Sequence, residues 1–180
     1  MRTLRQSLER LPSWYPHLFL EPHLIASVAV LSEYSESPAR FSIRSENIPQ
    51  LGNVGTERGL ALSWPRETKC KAERLRATLQ RKPLIELGAT AVGLLVAKQV
   101  LDLGQLDMTS YGDRADFRSP DRRCVLEISG TEVTTELGRR HRQKVAQALA
   151  NPFGWEAYVV VCLFSAEGHS IRLSRHEPLE

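Results

Sequence analysis

The chain has 180 residues, 42% of them hydrophobic, and a formal net charge of +3. That fits one globular domain, or one domain with an extension, and no internal repeat or low-complexity tract is visible. Residues 81–180 carry thirteen Lys/Arg against thirteen Asp/Glu, so net charge does not argue for nucleic acid there and only local clustering can. Cys70, Cys124 and Cys162 are far apart and form no CxxC pair, which excludes a zinc site or disulfide framework and suits a reducing, cytoplasmic setting. Arg2, Arg5, Glu9 and Arg10 leave no apolar leader segment. The apolar run 84–101 is interrupted by Glu86, Lys98 and Gln99 and is expected to be a buried helix, not a membrane span.

Residues 2–11 predict a short amphipathic helix, with Leu4, Leu8 and Leu11 at helical spacing and Pro12 to end it. Trp14, Tyr15, Leu18 and Phe19 are expected to pack on the main body. Residues 24–34 are apolar with Val28 and Val30 and predict a strand. Ser35-Glu36-Ser37-Pro38 is a turn signal. Residues 39–44 alternate cleanly, with Phe41 and Ile43 on one face, so a β-hairpin is expected. Residues 45–59 hold Pro49, Gly52, Gly55 and Gly59 and predict a loop. Ser63 is a candidate N-cap for a basic helix over about 65–81. The charges on that helix form either a solvated face or a phosphate-contacting edge.

Pro83 breaks that helix and starts the next, over 84–101. Glu86 in its first turn is favourable at a helix N-terminus. Leu106–Tyr111 predicts a strand, and Gly112-Asp113 a bend. Arg114–Arg118 and Cys124–Ser129 predict two strands joined by the Ser119-Pro120-Asp121 turn, with Gly130 ending the second. Residues 136–150 predict a helix with Leu137, Val145, Ala148 and Leu149 inward, and with Arg139, Arg140, Arg142 and Lys144 clustered along it. Residues 155–164 read as an interior strand, and 171–173 as a short last one. His169 and His176 have no spaced partners and are expected at the surface.

Glu127 stands on a strand between Leu126 and Ile128, where a carboxylate needs a reason. A solvated outer face is one. A metal site is the other, because Asp116 on the preceding strand can share its face. With an even connecting loop Asp116 faces Val125, and Glu127 is then a diagonal neighbour roughly 7–8 Å away. Two such carboxylates can hold a hard cation. Asp113, a rival to Asp116, follows a glycine and reads as a turn residue.

At these residues the chain resembles the restriction-endonuclease-like, or PD-(D/E)XK, nuclease superfamily. Asp116 matches the aspartate of the first motif strand, and Glu127-Ile128-Ser129 matches the (Asp/Glu)-x-Lys of the next, with Ser129 where the lysine belongs and Ala115 before the aspartate. The resemblance covers about residues 82–180. It implies a mixed α/β (α+β) fold with an αβββαβ core there, and an N-terminal extension over 1–81 (helix, β-hairpin, basic helix) packed on it. It also implies a metal-dependent nuclease or nuclease-fold subunit using Mg²⁺ or Mn²⁺ on DNA more than RNA. Asp116 and Glu127 would hold the metal. Glu86 matches a glutamate that many members carry on the preceding helix. Lys144 is the best substitute for the missing lysine, with Arg139 and Arg140 as rivals, and Ser129 itself can donate a hydrogen bond. Arg139, Arg140 and Arg142 are the nucleic-acid-binding candidates. Two alternatives stay open: a non-catalytic relative that binds nucleic acid or protein, and an unrelated α/β interaction protein. No membrane partner is expected, and a homodimer or larger complex stays open.

Overall fold

The computed structural model describes residues 3–51 and 58–178. Its frame is one sheet of eight strands: β1 (Thr3–Ser7), β2 (Ala39–Glu46), β3 (Arg58–Ser63), β4 (Asp107–Met108), β5 (Phe117–Ser119), β6 (Cys124–Thr131), β7 (Glu156–Leu163) and β8 (His169–His176). Their order across the sheet is β1-β3-β2-β8-β7-β6-β5-β4. The helices are α1 (Leu11–Trp14), α2 (Glu21–Leu31), α3 (Arg66–Thr78), α4 (Arg81–Gln99) and α5 (Leu137–Leu149). From α4 onward the succession is helix, three strands, helix, strand, strand.

Strand alternation sends the apolar residues of the central strands to two faces. Leu126, Ile128, Val160, Cys162, Ile171, Leu173, Phe41 and Leu60 join α2 and α4 in the main core. Val125, Val159 and Val161 face the other way, where Ala148 of α5 joins them in a smaller cluster. β6 and β7 are buried almost throughout, as expected of strands covered on both faces. β6 and β7 are parallel, and α5 makes the crossover between them. β4, β5 and β6 form an antiparallel meander. β2 pairs in parallel with β8, so the N-terminal residues extend the same sheet and share its main core.

Several expectations for residues 1–81 are corrected. The helix expected over 2–11 is the strand β1, paired in parallel with β3, followed by a 3₁₀ turn over Leu8–Arg10 and by α1. Leu4 and Leu8 lie on or against the core all the same. The strand expected over 24–34 is the helix α2. It is buried on nearly every side, so its apolar residues show no single stripe and mimic an interior strand. The hairpin partner of β2 is therefore β3, in antiparallel register, which begins at the end of the expected loop and continues past it; part of that loop, 52–57, lies outside the described residues. Pro65, not Ser63, is the N-cap of α3.

In the second half the first strand is only two residues long, and Asp113 takes the expected turn role by accepting the Ser110 N–H at 2.7 Å. His169 is buried among Tyr34, Phe41 and Phe164, not at the surface. Gly130 does not end its strand but lies inside β6. A Cβ there would sit 2.9 Å from the carbonyl oxygen of Ile85 and 2.9 Å from the Cβ of Ala89. The first turns of α4 thus rest directly on β6. Gly130→Ala must push backbone away, and overpacking of this kind destabilises by about 1–3 kcal/mol. Urea unfolding should show a lowered midpoint with an unchanged slope.

Candidate active site

β5 pairs only with Cys124, Val125 and Leu126 of β6. Beyond Leu126, that edge of β6 has no strand neighbour among the described residues. Its inward amides still need acceptors. Two carboxylates supply them. Ile128 N–H donates to Asp116 Oδ2 at 2.7 Å, and Gly130 N–H donates to Glu86 Oε2 at 3.0 Å. Both are charge-assisted bonds. The close seating of α4 on Gly130 is what brings Glu86 to the edge.

The β5–β6 register pairs Phe117 with Leu126. Asp116 lies in the bend just before β5, and its N–H donates to the Leu126 carbonyl at 3.1 Å, so Asp116 and Phe117 both stand against Leu126 as in a bulge. The expected geometry placed Asp116 on a strand opposite Val125; it precedes that strand instead, yet its charge is near enough to Glu127 to raise the Glu127 carboxyl. Glu127 and Ser129 alternate onto the α5 face of β6. α5 runs over them with Glu136, Arg140 and Lys144 at four-residue spacing, one above another on one helix face.

Lys144 Nζ forms an ion pair with Glu127 Oε1, and also donates to Gln147 Oε1 at 3.3 Å. Arg140 reaches Glu86 Oε1 at 3.0 Å and the Ser129 hydroxyl at 3.3 Å. Ser129 Oγ donates to both oxygens of Glu86, at 3.3 and 3.2 Å. Glu86 and Arg140 thus close on Ser129, while Glu127 pairs with Lys144 near the Asp116 charge, three acids against two bases. Arg139 is not part of this group: it is exposed and pairs with Glu136 at 3.0 Å. Arg142 is exposed as well. Beside Glu86 and Arg140 a cavity of about 240 Å³ opens between the start of α4 and the end of β6.

Burial decides the electrostatics. Glu127 has no exposed surface, and its Oε2 is a buried oxygen without a hydrogen-bond partner. Burial and then the Asp116 charge push its carboxyl up to about 7, while Lys144 pulls the other way and Glu86 adds a further upward push. Asp116 is exposed as a residue, but its carboxylate turns inward onto the Ile128 amide. Desolvation of that carboxylate raises it, Ile128 N–H and Lys144 act downward, and Glu86 acts upward.

Arg140 as the partner of Glu86 and Ser129 was legible only as one member of a basic cluster. The four-residue spacing back to Glu136 and forward to Lys144 was the available signal. The role of the Ile128 and Gly130 amides had no signal in side-chain identity.

No family model, curated protein or solved structure matches this chain. Among the described residues no helix is long and apolar enough to cross a membrane. No group of three His, Cys, Asp or Glu side chains among them is arranged as a ready metal cluster.

Glu127 binds its proton more tightly folded than unfolded. Between the ordinary glutamate value of 4.5 and about 7 the native state therefore holds more protons, and stability falls as pH rises through that window. The loss should be on the order of 1–3 kcal/mol. Glu127→Gln should flatten the stability–pH profile over pH 4.5–7, read by urea unfolding at each pH.

Proposed function

We propose that this chain is a metal-dependent phosphodiesterase of the PD-(D/E)XK kind, acting on DNA in preference to RNA, with Lys144 in place of the motif lysine. The observation that carries this is the Lys144–Glu127 ion pair beside Asp116. A lysine ammonium is present at the expected carboxylate, but it comes from the following helix and not from position 129. The succession α4-β4-β5-β6-α5-β7 supports the reading, since αβββαβ is the core that the resemblance implies.

The donor set fits a hard divalent cation. Glu127 Oε2 is a buried carboxylate oxygen lacking a partner, and Asp116 uses only Oδ2 for the Ile128 amide. Mg²⁺ takes one or two carboxylates and keeps several waters, so two acids suffice. Glu86 is committed to Gly130 N–H, Ser129 and Arg140 and acts by holding that edge in place. Bound there, the ion would supply an activated water and charge stabilisation on the phosphoryl group. Lys144, released from Glu127 Oε1, is positioned to hold that water or a phosphate oxygen. Ser129, whose hydroxyl lies within 3.3 Å of Arg140, orients Glu86 and Arg140. It is fully buried, so a lysine placed at 129 would crowd Arg140.

A second reading has its own support: a nuclease-fold protein that binds nucleic acid or a protein partner without cleaving. Glu127 is sealed from solvent and Lys144 already pairs with it. Cleavage assays on single- and double-stranded DNA and RNA with Mg²⁺, Mn²⁺ or chelator separate the two. For an enzyme, Asp116→Asn and Glu127→Gln should each abolish metal-dependent cleavage. Lys144→Ala should lower turnover about 10²–10⁴-fold with less effect on Mn²⁺ affinity by calorimetry. A wild-type protein that neither cleaves nor binds Mn²⁺ leaves the second reading.

A further inference from the structure

The sheet face that α5 covers over β6, β7 and the Ser174 end of β8, where His141 bonds Ser174 at 2.8 Å, continues across the rest of β8 and β2, β3 and β1 with no helix over it among the described residues. Strand register fixes this. Ser129 pairs with Val161, Val161 with Arg172, and Arg172 with Arg44, so the four lie in one row on one face. Further along, Ala61 of β3 pairs with both Arg5 of β1 and Arg40 of β2, which places those two arginines on one face as well.

Two grooves lie on this open face. One, of about 540 Å³, holds Arg5, Arg10 and Arg40 and no acid. The other, of about 500 Å³, lies against the start of α5 and holds Arg44 and Arg172 with one acid, Glu46. Five arginines and one glutamate line the two grooves; Arg10 lies over the Trp14 ring at 5.5 Å, and Arg44 has a partner of its own. Glu46 binds Arg172 at 2.6 Å. Arg5 and Arg40 are exposed and make no ion pair among the described residues. The floor between the arginines is made of small side chains, among them Ser42, Ser63, Ala61 and Ser170.

We propose that this open face is a nucleic-acid anchoring surface, gripping the phosphate backbone of a DNA duplex away from the carboxylate site. Charge complementarity argues for the occupant. Guanidinium groups hold phosphate oxygens in a fork, a floor of small side chains lets a backbone approach, and neither groove offers an aromatic platform for stacking single-stranded bases. Adjacent strands are about 4.8 Å apart, so Arg44 lies three strands and roughly 14 Å from Ser129, and Arg5, five strands away and four residues further along, roughly 27 Å. The nucleic acid must therefore extend past α5 to touch both places. The inference deepens the nuclease reading by naming where substrate is held, and it moves that role from Arg139 and Arg142 to the N-terminal strands.

The test is binding of a labelled DNA duplex several helical turns long, followed by anisotropy over a salt series with chelator present to prevent cleavage. Arg5→Gln/Arg40→Gln should weaken binding about tenfold and lower the salt slope by about two, because two phosphate contacts are lost. Arg5→Glu/Arg40→Glu should weaken it further, with both variants keeping the wild-type circular dichroism melt. Removing two exposed arginines of α3, by Arg66→Gln/Arg74→Gln, should change affinity by no more than about twofold. Undiminished DNA binding by the Arg5/Arg40 variants overturns the surface and leaves the carboxylate site untouched. So does a wild-type protein that ignores DNA, or one that binds polyglutamate or phosphatidylserine vesicles through Arg5 and Arg40 instead. Loss of binding in those variants sustains the surface even if no cleavage is ever seen.

Discussion

A fully buried glutamate in the middle of the sheet is the constraint on which the rest depends. Glu127 has no water to solvate it, and an isolated buried charge is costly enough to titrate away. The fold answers with one ammonium, Lys144, delivered by a helix that must lie across β6 at a definite height. That fixes the seat of α5, and α5 in turn closes the second cluster over Val125, Val159 and Val161. Removing Lys144 would leave a buried charge with only acids nearby, so packing and electrostatics are tied at one residue.

The eight strands make the N-terminal third part of the same framework. β2 pairs with β8 over six residues, and α2 packs on α4 within the main core. A second knot of charge joins these halves. Arg81 pairs with Glu132 just past β6 and with Glu33 just past α2, and Arg76 of α3 also reaches Glu33 at 3.1 Å. Tyr34 donates to Glu132 at 2.5 Å. The start of α4, which carries Glu86, is therefore clamped from both sides.

The second half of the chain was more legible than the first. β6, α5 and β7 each carry a clean period or an apolar run bounded by turn residues, and local pattern agrees with tertiary setting there, whereas β8 was read only at 171–173 of its eight residues. α2 defeats this reasoning because burial on every side erases the helical stripe, leaving valines that look like strand. β1 defeats it because Leu4, Leu8 and Leu11 keep helical spacing while an edge strand needs only alternate contacts. β3 holds Gly59, Ala61 and no β-branched residue, so its pairing with β1 and β2 is decided by neighbours that are distant in sequence. At the site, Glu127 was visible as a strand carboxylate, whereas Asp116, expected on a strand, lies in the bend before β5. Lys144 was visible as a basic residue on the next helix, but which base meets which acid depends on the height of α5 over β6. That height is set by side-chain packing and not by spacing along the chain.

The two carboxylates on the open margin of β6 have a consequence for the protein's life in a crowded solution. Unpaired strand amides are a template onto which another chain can add a strand. Asp116 and Glu86 occupy the Ile128 and Gly130 amides, and they place negative charge where an incoming backbone would have to lie. The same acids that shape the candidate site thus shield the most buried strand of the sheet, and the guard against strand addition lies inside that candidate site.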